Sequence, residues 1–251
     1  MIESEKQLIR RFQTEPSKVI CLLCGTSKEI ELCNIIQNGD FWNEWVDASA
    51  HDAPPPDFYS NKYGLMMDVM KVDDNTRKTK KGKLRNPRAE LENKLFRELK
   101  ESDVVTDETP DVLINAVTDL PTMEDHQFKW YFDSFKRVIL GHNAKIPLYQ
   151  SNHKNFKTVF FVFDESTAYA QLYAGQLHFY AHDEEFQGIL KKCNADYVVW
   201  YAPYKYYDKL SVNCKMLQPI YRAAIIDVEG LRNSNGTSKK YMHGLMVSAE
   251  E

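Results

Sequence analysis

The run Gly64-Leu65-Met66-Met67-Asp68-Val69-Met70-Lys71-Val72 decides the fold class. Apart from Asp68 and Lys71 it carries no polar side chain. It is too short for a typical helix and too evenly apolar for a strand with one wet face. Such a run reads as a strand covered on both faces, the pattern of parallel sheets. Working outward, the same signature recurs at Val19–Cys24, Thr158–Phe163, Tyr197–Tyr201 and Ala223–Val228. Val112–Val117 and Leu177–Tyr180 add weaker strand patterns.

Helical patterns fill the intervals. Ser4 with Gln7 caps a helix over Glu5–Phe12, and Thr26 with Glu29 forms a capping box for a helix reaching Gly39. Asn86 precedes Pro87 at a first helical position, and Leu91, Leu95 and Leu99 follow at four-residue spacing. Thr122 opens the longest pattern, whose stripe is Phe128, Tyr131, Phe132, Phe135, Val138 and Ile139, with Gly141 as its stop. Asp183 caps a further helix carrying Phe186, Ile189, Leu190 and Cys193. Residues 40–63 read as irregular, because Pro54-Pro55-Pro56 suits neither a helix interior nor a central strand. Trp42, Trp45, Phe58 and Tyr59 predict that this segment packs onto the body. The alternation predicts one α/β domain over residues 1–230, a mixed, mostly parallel sheet with helices on both faces, and a loosely held tail over 231–251.

Bulk composition narrows the function classes. The 251 residues are 43% hydrophobic and 27% charged, with a net charge of -4. That charge excludes a protein that coats nucleic acid by bulk attraction, so any nucleic-acid site must be a local patch. No apolar run nears the ~20 residues of a bilayer span, and no membrane partner is expected. The five cysteines, Cys21, Cys24, Cys33, Cys193 and Cys214, with a polar N-terminus, point to reduced thiols in the cytoplasm.

The chemistry-bearing residues cluster around the opening run. Asp57 follows Pro56, Asp68 lies within the strand, and Lys71 comes soon after. Two carboxylates converging at a strand end hold Mg²⁺ or Mn²⁺ through hard oxygen ligands, and such an ion activates water against a phosphodiester. The order of Pro-Asp, acid-bearing strand and Lys resembles the PD-(D/E)XK nuclease superfamily. The resemblance implies a mixed sheet flanked by helices, Asp57 and Asp68 as metal ligands, and Asp57, Asp68 and Lys71 as catalytic residues. In that family the second acid stands two residues before the Lys. Here Asp68 and Lys71 are three apart, which puts them on opposite faces unless a bulge intervenes.

The basic segment that follows, Arg77, Lys78, Lys80, Lys81, Lys83 and Arg85, contains no acid and suits a phosphate backbone of DNA or RNA. Charge runs of this kind are also ordinary solvated loops. Two other readings stay open. The aromatic stretch Trp200–Tyr207 and the sheet edge would suit a protein partner in a non-catalytic module. The helix end at Gly25-Thr26-Ser27 would suit a nucleotide phosphate, although it lacks dinucleotide-type glycine spacing and a Walker Lys. Asp227 and Glu229 read as sharing one strand face, in reserve as ligands. Cys21 and Cys24 lack the second pair that zinc needs. The histidines, His142 among them, show no ligand spacing.

Overall fold

The computed structural model describes residues 4–48, 56–104, 128–166, 179–204, 221–234 and 238–240. Nine strands are present among them: β1 (Ile20–Leu22), β2 (Val46–Asp47), β3 (Phe58–Ser60), β4 (Leu65–Val72), β5 (Arg77–Lys78), β6 (Leu84–Arg85), β7 (Lys157–Asp164), β8 (Tyr197–Tyr201) and β9 (Ala223–Asp227). The helices are α1 (Glu5–Gln13), α2 (Ser27–Gln37), α3 (Phe41–Glu44), α4 (Pro87–Glu101), α5 (Phe128–Asn143), α6 (Ile146–Asn152), α7 (Glu184–Leu190) and α8 (Val228–Asn233).

Seven strands form one sheet in the order β1-β9-β8-β7-β4-β3-β2, and β5-β6 make a separate hairpin. The ladders β1–β9, β4–β7 and β7–β8 are parallel, whereas β2–β3, β3–β4 and β8–β9 are antiparallel. The longest is β4–β7, which pairs Leu65 with Lys157 through Val72 with Asp164. This is the expected mixed, mostly parallel α/β sheet.

The evenly apolar strands make sense because each divides its side chains between two buried layers. Met66, Met70, Val72, Phe160, Val162, Val198, Trp200 and Ile226 enter one core with α5, α6 and α7. Met67, Val69, Val159, Phe161, Phe163, Val199, Tyr201 and Ile225 enter the other with α1 and α2. Phe135 of α5 stacks on Trp200 with ring centroids 4.3 Å apart. On the opposite face Phe12 of α1 meets Phe161 and Tyr201 edge-on at 5.7 and 5.5 Å. Two such layers on one continuous sheet leave little freedom in register, since a one-residue slip would exchange every contact.

One polar group is built into the first core. Asp164, fully buried, accepts hydrogen bonds from Tyr131 Oη (2.5 Å), Trp200 Nε1 (3.0 Å), the Ser166 amide (3.0 Å) and the Ser166 hydroxyl. Four donors on two oxygens satisfy the carboxylate, so its role is structural.

Several expectations change. The segment 40–63 contains α3, β2 and β3, and its aromatic side chains do pack inward, with Trp45 and Phe58 buried. Helix α5 runs past Gly141 to Asn143. Glu229 does not share a strand face with Asp227, because the chain turns into α8 at Val228; both acids instead meet Lys28. Tyr180 starts a short 3-10 turn. The strand pattern at Val112–Val117 and the cap at Thr122 fall outside the described residues. No helix among the described residues is long and apolar enough to cross a membrane.

Candidate active site

The site arises where β3 stops short. β3 pairs with β4 only from Ser60↔Leu65 to Phe58↔Met67, while β4 continues to Val72. The next step of that register sets Asp57 opposite Asp68. The ladder hands over to a side chain there: the Val69 amide donates to Asp57 Oδ2 at 2.6 Å. The Asp57 carbonyl meanwhile accepts from the Ala48 amide at 2.8 Å, which fixes the backbone from the outer side. Among the described residues the second half of β4 therefore has no strand partner on that side, which leaves a notch in the sheet edge.

Asp68 is 2% exposed, and the Asp57 carboxyl lies near enough to feel its charge. Like charges directly opposite on neighbouring strands repel, and low polarisability around them sharpens the penalty. Asp57 answers this by holding its proton. Burial first, and the Asp68 charge second, push the Asp57 carboxyl up to about 8, while the Val69 amide pulls it back.

Two donors from the covering helices converge on the other carboxyl. His142 Nδ1 lies 2.5 Å from Asp68 Oδ2, and Tyr149 Oη donates to the same oxygen at 2.8 Å. With the carboxylate accepting, the imidazole carries its hydrogen on Nδ1. His142 sits in the last turn of α5 and Tyr149 one turn into α6. The link between these helices is tight, with the Lys145 amide donating to the His142 carbonyl at 2.9 Å and Pro147 in the first turn of α6. Burial and the Asp68 charge raise the Tyr149 phenol well above its ordinary value, so it stays a donor.

A third acid arrives from the opposite face. Glu5, in the first turn of α1, is raised above its usual value by burial, then by the charges of Asp68 and Asp47, with Lys71 and His142 opposing. Lys71 itself does what strand alternation requires. It points away from Asp68, and its Nζ lies 3.6 Å from Glu165 Oε1. The sequence-based set therefore separates: Asp57 and Asp68 meet, Lys71 stands on the far face, and Glu5, His142 and Tyr149 join from elsewhere. Sequence spacing could not reveal His142 or Tyr149, which lie 74 and 81 residues from Asp68.

The described residues do not assemble a metal centre of their own. Among the described residues no three or more His, Cys, Asp or Glu are placed to hold one metal. Asp57 and Asp68 can supply two carboxylates, the arrangement that Mg²⁺ accepts when water and substrate oxygens fill its other positions.

Beyond β4 the basic segment forms a hairpin rather than a plain loop. β5 and β6 pair antiparallel, with Arg77 opposite Arg85. The Thr79 amide donates to the Lys83 carbonyl and the Gly82 amide to the Thr79 carbonyl, both at 2.8 Å. Gly82 has φ +78°, the left-handed residue that such a bulged turn requires. The turn sets Lys80 and Lys81 at its tip. At the base, Arg77 lies over the Trp130 ring of α5 at 5.5 Å and Arg85 pairs with Glu90 at 2.7 Å. Lys78, Lys80, Lys81 and Lys83 are exposed.

The helix end at Thr26 is already occupied by a carboxylate of the chain. Glu29, fully buried, accepts from the amides of Cys24 (3.1 Å), Thr26 (3.3 Å) and Asp227 (2.9 Å). Those are the donors a phosphate would need. Trp200 and Tyr201 of the aromatic stretch are buried core, and residues 205–207 lie outside the described residues.

No family model, no curated protein and no solved structure matches the chain.

Proposed function

We propose that the protein is a divalent-metal-dependent nuclease-like enzyme acting on the phosphodiesters of DNA or RNA, with Asp57 and Asp68 at its centre. The observation that carries this reading is the placing of two coupled, largely buried carboxyls side by side at the sheet edge. Side-chain pairs that cost stability and satisfy no packing need are what functional sites contain. Two further features support it. The mixed sheet covered on both faces agrees with the resemblance of Pro56-Asp57, Asp68 and Lys71 to the nuclease superfamily. The exposed cations of the β5–β6 hairpin follow directly from β4 and supply a phosphate-binding patch on a chain of net negative charge.

When bound, Mg²⁺ or Mn²⁺ supplies Lewis acidity towards a phosphate oxygen and a water of lowered pKa. The chain's own contributions are separate. Asp68, held by His142 and Tyr149, offers one oriented carboxylate. Asp57 would supply the second carboxylate toward such an ion. Glu5 adds a third negative group at the rim, and Lys80 and Lys81 attract the polyanion. Lys71 faces the other side of the sheet, with its Nζ 3.6 Å from Glu165 Oε1. We place this activity in the cytoplasm, in keeping with the free thiols of Cys21, Cys24, Cys33 and Cys193.

The test is cleavage of labelled single-stranded and duplex oligonucleotides with Mn²⁺ or with EDTA. Mn²⁺-dependent products, lost in Asp68→Asn and kept in the remote surface variant Lys18→Ala, are the expected result. Cleavage that survives EDTA, or that Asp68→Asn leaves intact, would refute the assignment.

A further inference from the structure

We infer that a cleft at the end of the sheet where β7 and β8 begin and β9 ends binds a small zwitterion, a free amino acid. It uses none of the residues of the Asp57–Asp68 site. The cleft has a volume of about 280 Å³, and its lining is polar apart from Ala195. That is the size of a site for a compact metabolite, at the lower end of small-molecule pockets. Strand register brings its groups together. Tyr197 lies opposite Asp227 in the β8–β9 ladder and pairs on its other side with Val159, two residues after Lys157. Helix α2 adds Lys28, and α8 adds Glu229 and Arg232.

Asp227 is the observation that points to a ligand. It stands at the N-cap of α8, where an aspartate ordinarily accepts from an amide of the first turn. Here the side chain makes no such bond. Asp227 is 3% exposed, and among the described residues its carboxylate accepts no hydrogen bond. Its one ionic neighbour, Lys28 Nζ, stands 3.9 Å away and is turned to Glu229 at 2.7 Å. Gly230 keeps the space beside the carboxylate, since a Cβ there would fall 3.1 Å from Asp227 Oδ2. A buried carboxylate without donors costs stability, and the ammonium of a ligand supplies the missing donors.

The charges left over in the cleft are of both signs. Lys157 Nζ donates to the Tyr197 hydroxyl at 3.4 Å. Arg232 directs its Nε to the Lys191 carbonyl at 2.9 Å and one terminal nitrogen to the Cys193 carbonyl. Glu229 feels both cations from the rim but accepts its hydrogen bond from Lys28. Asp196 gives one oxygen to the Thr158 amide at 2.8 Å. Lys157 and Arg232 thus form no salt bridge with Asp196 or Asp227. Two carboxylates and two cations without mutual pairing suit a ligand with an ammonium at one end and a carboxylate at the other. A phosphate would be repelled by Asp196 and Asp227, and a diamine by Lys157 and Arg232.

The experiment is isothermal titration calorimetry of the full chain against each of the common L-amino acids in turn, in EDTA and without nucleic acid. At least one amino acid should bind. Its decarboxylated amine and its α-hydroxy acid should each bind about tenfold or more weakly, because each lacks one charge-assisted contact. Asp227→Asn and, separately, Lys157→Met should weaken the same amino acid by about tenfold or more, and the remote variant Lys18→Ala should leave it unchanged. Without ligand, Asp227→Asn should unfold at the parent's temperature or above it, since the carboxylate it replaces has no donor to lose. A lower unfolding temperature would assign Asp227 to the fold and overturn the inference. So would a parent chain that binds no amino acid, binding that Asp227→Asn and Lys157→Met both leave intact, or equal affinity for the amine or the hydroxy acid.

Discussion

Asp57→Asn is the substitution with the most to say about the notch. In the folded protein the Asp57 carboxyl is raised to about 8 by burial and by the charge of Asp68, against an ordinary value of 3.8. Between those two values Asp57 thus holds a proton in the folded protein that it has lost in the unfolded chain. The sign follows: an acid raised on folding contributes its stability at low pH and loses it as pH climbs from about 4 through 8. Each pH unit in that window removes up to about 1.4 kcal/mol, so moving from pH 5 to pH 7 costs up to about 2.7 kcal/mol. For a chain of this length that is a fall of about 5–10 °C in Tm. Asn has the shape of the protonated acid. Its oxygen can accept from the Val69 amide and its nitrogen can donate to Asp68, with no proton to lose. The assay is thermal or guanidinium unfolding in EDTA at several pH values, parent against Asp57→Asn. The parent should weaken over pH 5–7 by the stated amount relative to the variant. Mn²⁺ should stabilise the parent at pH 7 and leave the variant almost unmoved. Equal pH slopes for the two proteins would refute the argument that Asp57 and Asp68 repel in the notch.

The other consequences are simpler to state. Lys80→Glu with Lys81→Glu should weaken binding to a labelled oligonucleotide and flatten its dependence on salt, by about 0.7–0.9 in slope for each phosphate that is no longer neutralised, as read by fluorescence anisotropy between low and moderate salt; an unchanged slope would remove the hairpin from the interface. Asp164→Ala should cost about 3 kcal/mol or more in denaturant unfolding, because Tyr131, Trp200 and Ser166 would keep buried donors without an acceptor. A loss under about 1 kcal/mol would mean that those donors find other partners.

Legibility in the linear sequence differs between layers of the molecule. Strands β4, β7, β8 and β9 are visible there because each is apolar at almost every position, and only burial on both faces calls for that pattern. The caps at Ser4, Thr26, Asn86 and Asp183 are visible because capping is local: the oxygen and the amide it satisfies lie within a few residues. β2 and β3 are not, since two- and three-residue strands carry too little periodicity and their pairing depends on β4. Gly141 reads as a helix stop, yet α5 continues through it, because a helix tolerates glycine when packing carries on at either side.

The site divides along the same line. Asp57, Asp68 and the basic hairpin stand out in the linear sequence, because an acid within an apolar run and a cluster of like charge are local anomalies. The placing of Lys71 across the sheet from Asp68 also follows from spacing alone, as two-residue alternation leaves no choice without a bulge. That Asp57 lies beside Asp68, that Glu5 on the other face feels the charge of Asp68, and that His142 and Tyr149 grip one carboxylate oxygen were decided only by the tertiary structure. These contacts join residues far apart in the chain, and they depend on where β3 stops and how α5 and α6 lie on the sheet. The sequence by itself determined which segments are strands and helices, through side-chain periodicity and nearest-neighbour hydrogen bonds. Long-range packing alone decided which ionisable groups share a low-dielectric space, and so which of them can act together.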